Sequence, residues 1–311
     1  MSYFIYYVTL FVIIWITACA AQESPRNPFI VFGDSYTAEH TDPCNGPKWI
    51  RELENTWNNL SISNFAVGGA CCYKNDDGPS PPITRQIDSY FEQEPVNDPD
   101  SSIYAIFVGI NDLVQNEAYN DIVVCIQGQT TRLIEQAHGK QFLIFNMVPF
   151  DHSPRIRIEN ITEYAAEWIE KFNLELNTTI SSMQRQYPNT TIVLIDTHTT
   201  FLNILNHPTD YGITQGVIDY YTHVHPDPGS DPGKLLTTGN QYFWFDQSHI
   251  TSGVHDQIHK AIVAQQPFPY LPLMDPNSPS PPPHSIASSP LRDYHCNYAL
   301  VAFFIALVSI L

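Results

Sequence analysis

Five short apolar runs, each closed by a turn residue, decide most of what this chain can fold into. Phe29-Ile30-Val31-Phe32 ends at Gly33, Ile62 to Val67 at Gly68-Gly69, and Ile103 to Val108 at Gly109. Phe142 to Val148 ends at Pro149, and Thr191 to Ile195 at Asp196. Each is rich in β-branched or aromatic residues, so each reads as a strand buried on both faces. Helical stretches separate them: Lys48 to Asn58, about Asp121 to His138, and Ile161 to Tyr187. The last carries Tyr164, Ala165, Trp168, Phe172 and Leu176 at helical spacing. Such alternation implies a three-layer αβα sandwich around a mostly parallel sheet of about five strands. In sheets of this kind ligands bind beyond the carboxyl ends of the strands.

Both ends of the chain read as processing segments. Phe4 to Ile16 is an apolar run before the A-x-A site Ala18-Cys19-Ala20, so residues 1–20 are expected to be a signal peptide, although no Lys or Arg precedes the run. An uncleaved anchor is the competing reading, but the run is short against the ~20 residues that span a bilayer. At the other end, Tyr298 to Leu311 is apolar. The polar stretch Pro290 to Asn297 precedes it, and before that come the small residues Ser285, Ala287, Ser288 and Ser289. Small site, polar spacer and apolar tail form the pattern of a GPI-anchor signal, placed at 291–311, with a short tail anchor as the alternative. Residues 267–290, containing Pro281-Pro282-Pro283, read as a stiff linker. The folded domain is expected at 27–266, in a secreted or cell-surface protein.

Charge and cysteine usage narrow the partners. Lys and Arg number 14 against 32 Asp and Glu, a formal net charge of −18. That field repels phosphate backbones, so nucleic acid is not an expected partner. The membrane enters only through the C-terminal anchor. Of six Cys, Cys19 leaves with the signal peptide and Cys296 with the tail. Cys44, Cys71, Cys72 and Cys125 remain, an even number that implies two disulfides with three connectivities open. Sequons at Asn59, Asn160, Asn177 and Asn189 fit a secretory route.

Four short blocks carry chemistry. Gly33-Asp34-Ser35 puts a serine on the turn after the first strand, where it is either a nucleophile or a helix cap. Gly68-Gly69 follows the second strand and either exposes a backbone N–H or makes a tight turn. Asn111, in Gly109-Ile110-Asn111-Asp112, is either an amide donor to a developing oxyanion or an Asx-type cap. Asp246 and His249, three residues apart before a helical stretch, can pair so that the carboxylate orients the imidazole. His223 with His225, and His255 with His259, have no evident third ligand, so no metal is expected. Phe243-Trp244-Phe245 reads as strand and core.

In order and together, these blocks resemble the four of the SGNH superfamily, also called GDSL hydrolases. Ser35, Gly69, Asn111 and His249 stand at their centres, with Asp246 as the third triad member. Asn45-Gly46-Pro47-Lys48-Trp49 is similar to the N-G-x-x-W helix start of plant and fungal members. Asn206 to Gly212 is similar to their N-x-P-x-x-Y-G segment, and Phe142 to Pro149 to their F-x-L-x-N-x-x-P strand. The cysteine after the second block and Cys125 look most like those of fungal carbohydrate acetylesterases, which implies a Cys72–Cys125 pair. Cys44–Cys71 then follows by elimination. The first block departs from the commoner form, with Ala38 where Asp is usual and Glu39 after it. Residues 217–240 match no pattern of the family.

The resemblance implies a flavodoxin-like fold and acyl transfer without a cofactor. Ser35 would attack, His249 and Asp246 would handle the proton, and the Ser35 and Gly69 N–H groups with Asn111 would form the oxyanion hole. The implied substrate is a short-chain ester, such as an acetylated small molecule or oligosaccharide. A lipase or phospholipase for longer acyl chains is one alternative. An inactive SGNH-fold surface protein that binds carbohydrate is the other.

Overall fold

The structure, a computed structural model, describes residues 27–39, 44–57, 60–73, 80–93, 98–225, 232–268, 271 and 273. The signal-peptide segment, the sequon at Asn59, most of the proline-rich linker and the apolar tail lie outside the described residues. All described residues fall in one compact unit that ends at residue 274.

The sheet is parallel throughout and has five strands: β1 (Asn27–Gly33), β2 (Leu60–Asn64), β3 (Ile103–Phe107), β4 (Gln141–Phe145) and β5 (Thr191–Ile195). Their spatial order is β2-β1-β3-β4-β5. The order explains the burial pattern. β3 and β4 are buried at every residue, because each has neighbours on both sides and helices on both faces. Edge strands β2 and β5 are only partly covered.

The helices are α1 (Trp49–Thr56), α2 (Ile83–Glu92), α3 (Ile110–Val114), α4 (Tyr119–Gln136), α5 (Pro154–Glu159) and α6 (Thr162–Gln186). After β5 come α7 (Thr197–Asn206), α8 (Tyr221–Val224), α9 (Pro232–Gly239) and α10 (Ser252–Gln265). α10 packs on α1 and α7, while α4 packs on α2 and α6, which makes the two outer layers.

Strand parity assigns the aromatic side chains to these layers. Phe29, Phe107 and Phe145 face α1, where the Trp49 ring sits 6.2 Å from Phe29 and 4.9 Å from Phe145. Phe32, Tyr104 and Phe142 face the other way, toward Tyr90 of α2 and the stacked Tyr104–Phe142 pair. Burying each such ring contributes about 1.5–3 kcal/mol, so the two faces hold the sheet ends in place from both sides.

Three expectations need correction. Phe243-Trp244-Phe245 is core but not strand. Trp244 is fully buried and makes isolated bridges, to Tyr220 and to Ile250. The folded part runs past residue 266: Phe268 and Leu271 are buried, Phe268 packs on Trp57, and Leu273 bridges Trp57. Cys72–Cys125 is bonded, but Cys44 and Cys71 are not bonded to each other. Cys44 Sγ lies against the Ile250 carbonyl, on the α10 side. Cys71 lies by the start of α2, on the opposite layer, where its carbonyl accepts from Ile83 N–H. An even cysteine count does not bring two thiols together.

Candidate active site

β1 delivers the serine. The amide of the buried Gln86 on α2 brackets Gly33, accepting from its N–H at 3.0 Å and donating to its carbonyl at 2.9 Å. Asp34 N–H donates to Phe107 O, which ties the end of β1 to the end of β3. Asp34 Oδ1 then accepts from Tyr36 N–H at 3.0 Å, an Asx-type turn that presents Ser35. Ser35 is 7 % exposed. Beneath it the ammonium of Lys48, itself 5 % exposed, donates to Ser35 O at 2.6 Å and to Ala38 O. Lys48 is a buried support of the serine turn that sequence reasoning passed over. It was quoted only as part of the N-G-P-K-W helix start, and its burial becomes visible only in the fold. Glu39, next to the departure at Ala38, turns away to ion-pair with Arg51 of α1.

Asp246 and His249 do come together. His249 Nδ1 donates to the carboxylate, 2.9 and 2.8 Å from its two oxygens. Asp246 Oδ1 also accepts the N–H groups of Ser248 and His249, each at 2.8 Å. Burial raises the Asp246 pKa, but the His249 hydrogen bond and charge and the two N–H groups outweigh it, so the net shift is downward. A proton on Nδ1 leaves Nε2 free to accept one. Tyr36 couples this loop to the serine turn: its hydroxyl donates to Ser248 O at 3.0 Å, and its ring lies 6.5 Å from that of His249. Behind them His255 is fully buried against Tyr36. Desolvation, then the charges of Lys48 and His249, hold it neutral.

The residues expected to form the oxyanion hole follow β2 and β3. Gly69 has φ +80° and is exposed, a conformation that only glycine adopts without strain. Among the described residues nothing accepts from the N–H of Ser35 or of Gly69, so both are available as donors. Asn111 follows Gly109, whose φ is +131°. One Nδ2 hydrogen goes to Ala70 O at 3.0 Å, which leaves the second for a ligand and ties the third block to the second.

Next to it, buried Asp112 accepts from Cys72 N–H at 2.9 Å through Oδ1, while Oδ2 has no hydrogen-bond partner among the described residues. Burial raises its pKa to about 7 against the pull of the Cys72 N–H, with Glu117 adding to the rise. The folded state therefore holds a proton that the unfolded chain loses above its ordinary carboxylate pKa of 3.8. Stability from this group is present below that value and is lost as pH rises to about 7, on the order of a few kcal/mol. Asp112→Asn keeps the acceptor for Cys72. Its melting temperature is expected to fall less between pH 5 and pH 8 than that of the wild type. An equal fall in both proteins, measured by calorimetry, would refute this.

Two of the histidines weighed as metal ligands have polar side-chain partners. His259 meets Asp256 and Thr56, and His223 meets Asp219. No group of three metal-ligating side chains occurs among the described residues. The sequons at Asn160, Asn177 and Asn189 are exposed.

Residues 29–262, from the middle of β1 to the last turns of α10, match the family model described as GDSL-like Lipase/Acylhydrolase. The chain belongs to that family. GDSL relatives include GDSL esterase/lipase 4 of Arabidopsis thaliana, 25 % identical over 53 % of this chain and 52 % of its own length. An acetylesterase of Thermothelomyces thermophilus is 23 % identical over 59 % of this chain and 74 % of its own. The chain spans about half or less of the length of the plant relatives first matched. Among solved structures, the native aryl esterase of M. smegmatis superposes with a TM-score of 0.50 at 14 % identity, over 77 % of this chain and 97 % of its own. A carbohydrate acetylesterase from Sinorhizobium meliloti gives 0.50 at 11 %, over 77 % and 98 %. At such identities the structural likeness speaks for the GDSL fold alone.

Proposed function

We propose that this GDSL-family chain is a serine carboxylic-ester hydrolase for short acyl groups, acetyl above all, working at or beyond the cell surface. The observation that carries the reading is the His249 imidazole held at Nδ1 by both oxygens of Asp246, on a loop hydrogen-bonded to the Ser35 turn through Tyr36. His249 Nε2 takes the Ser35 proton as the hydroxyl attacks the ester carbonyl. The resulting oxyanion is met by the N–H groups of Ser35 and Gly69 and the second Asn111 hydrogen, each such donor being worth about 3 kcal/mol in the transition state. His249 returns the proton to the departing alcohol, and water repeats the cycle on the acyl-serine. No step calls on a cofactor. The acetylesterase relative favours acetyl esters, those of carbohydrates included. The Cys72–Cys125 bond and the exposed sequons favour the secretory route.

The test is covalent. A fluorophosphonate is expected to modify one residue, Ser35, as mapped by peptide mass spectrometry. Turnover is expected to fall from p-nitrophenyl acetate through butyrate to octanoate. Labelling at another residue would sink the mechanism. A preference for octanoate would move the substrate to lipids.

A further inference from the structure

The turn that carries Gly69 is held by its two ends. Val67 N–H donates to Gly33 O at 3.1 Å, which registers the start of the turn against the end of β1. Ala70 N–H closes the turn onto Val67 O at 3.2 Å, and Ala70 O accepts the Asn111 side chain at 3.0 Å. Between these fixed ends lies one peptide unit, the carbonyl of Gly68 with the N–H of Gly69. Types I and II of such a turn differ by a half-rotation of that unit. The φ of +80° at Gly69 is the type II value. With glycine at both central positions, no Cβ opposes either orientation.

A side chain from another segment makes the choice. The Ser80 hydroxyl donates to Gly68 O at 2.6 Å, and among the described residues no other group donates to that oxygen. In a trans peptide the carbonyl and the N–H point in opposite directions. A carbonyl held toward Ser80 therefore aims the Gly69 N–H away from Ser80, and that N–H has no acceptor among the described residues. A hydrogen bond into a carbonyl also polarises the N–H of the same unit, which makes it a better donor. A Cβ on Gly69 would stand 2.9 Å from Ser80 Oγ, so the hydroxyl closes directly over this residue.

Ser80 is stiffly mounted. Pro81 and Pro82 follow it, their rings fix φ, and Pro82 is the N-cap of α2. Gln86 of α2, whose amide brackets Gly33, also donates to Pro81 O at 3.2 Å. One side chain thus ties the end of β1, just before Ser35, to the residue just after Ser80. The N–H groups of Ser35 and Gly69 share this frame, and the Ser80 hydroxyl is the part of it that fixes which way the second one points.

We propose that Ser80 is a positioning residue, whose hydroxyl selects the type II turn and so keeps the Gly69 N–H available to the oxyanion. The proposal rests on the serine-esterase reading for what that N–H does, but not for how it is held. Ser80→Ala is expected to lower kcat on p-nitrophenyl acetate by at least about tenfold, and by no more than the ~10²–10³-fold of a lost oxyanion donor, with KM changed less than about twofold. Ser80→Thr keeps the hydroxyl and is expected to restore kcat to within about threefold of the wild type. Amide NMR of the glycine-labelled proteins follows the peptide itself. The Gly69 line is expected to shift or broaden in Ser80→Ala and to hold its place in Ser80→Thr, while the other glycine lines stay put and report an intact fold. Wild-type kcat in Ser80→Ala, or a lowered kcat with the Gly69 line unmoved, overturns the proposal. A wild type that turns over no ester defeats only the esterase reading, and the Gly69 line then decides alone. Moved in Ser80→Ala and not in Ser80→Thr, it supports the positioning role; unmoved in both, it overturns it.

Discussion

Ser35→Ala is expected to lower kcat on p-nitrophenyl acetate by on the order of 10⁶-fold, with the fold intact. The substitution removes one hydroxyl and touches nothing that holds the turn. Lys48 bonds the carbonyl of residue 35, Asp34 bonds the backbone of Tyr36, and Gln86 brackets Gly33. All of these contacts survive in the alanine protein. Its melting temperature is therefore expected to stay near that of the wild type, and the fluorophosphonate label is expected to disappear. A residual rate above water remains, because the N–H groups of residues 35 and 69 still meet a developing oxyanion. Steady-state assay of the purified variant decides the matter. Activity within tenfold of the wild type would mean that another group is the nucleophile.

Asp246→Asn is expected to cost about 10⁴-fold in kcat, near 5.5 kcal/mol of transition-state stabilisation. Its geometry should change little. An asparagine Oδ1 can still accept the N–H groups of Ser248 and His249, which now lie 2.8 Å from the carboxylate. Its Nδ2 then faces the imidazole as a donor. His249 must answer with a bare Nδ1, so its proton moves to Nε2 and it can no longer take one from Ser35. KM is expected to change far less than kcat. The double variant with Ser35→Ala should be barely slower than Ser35→Ala alone, since the two residues act as one unit. Additive losses would show that Asp246 works on something other than the proton transfer. Loss of both kcat and thermal stability would show a structural role instead.

The parts of this molecule that were legible in sequence are those whose physics is local. β3 and β4 announced themselves because a strand covered on both faces must be apolar at successive positions, from Ile103 to Phe107 and from Phe142 to Phe145. The four blocks were legible because each sits at a strand end or before a helix, where a turn residue marks the spot. What escaped depends on contacts distant in sequence. Lys48 looks like a surface residue until Ser35 and Ala38 close over it. Tyr220 and His223 sit in a polar stretch without periodicity, and only the backbone of Trp244 and Phe245 gives them an address. Phe243 to Phe245 has the composition of a strand but turns through single bridges, because its carbonyls are taken by Tyr221, Thr222 and Thr251. The Cys44–Cys71 expectation failed because counting thiols says nothing about which helical layer each one joins.

The two halves of the site are closed by different kinds of bond. The acid–base half is held by hydrogen bonds to an ionised carboxylate and by the Tyr36 hydroxyl. On the side proposed for the oxyanion, the loop that follows Gly69 is fastened to α4 covalently, at the same Cys72 whose N–H engages Asp112 beside Asn111. Acid and reductant therefore act on different segments. Protonating Asp246 slackens the base and leaves the oxyanion loop fastened. Reducing Cys72–Cys125 slackens the oxyanion loop and leaves the base aligned. On the esterase reading, alignment of the base and closure of the loop after Gly69 are thus separable, one by acid and the other by reductant.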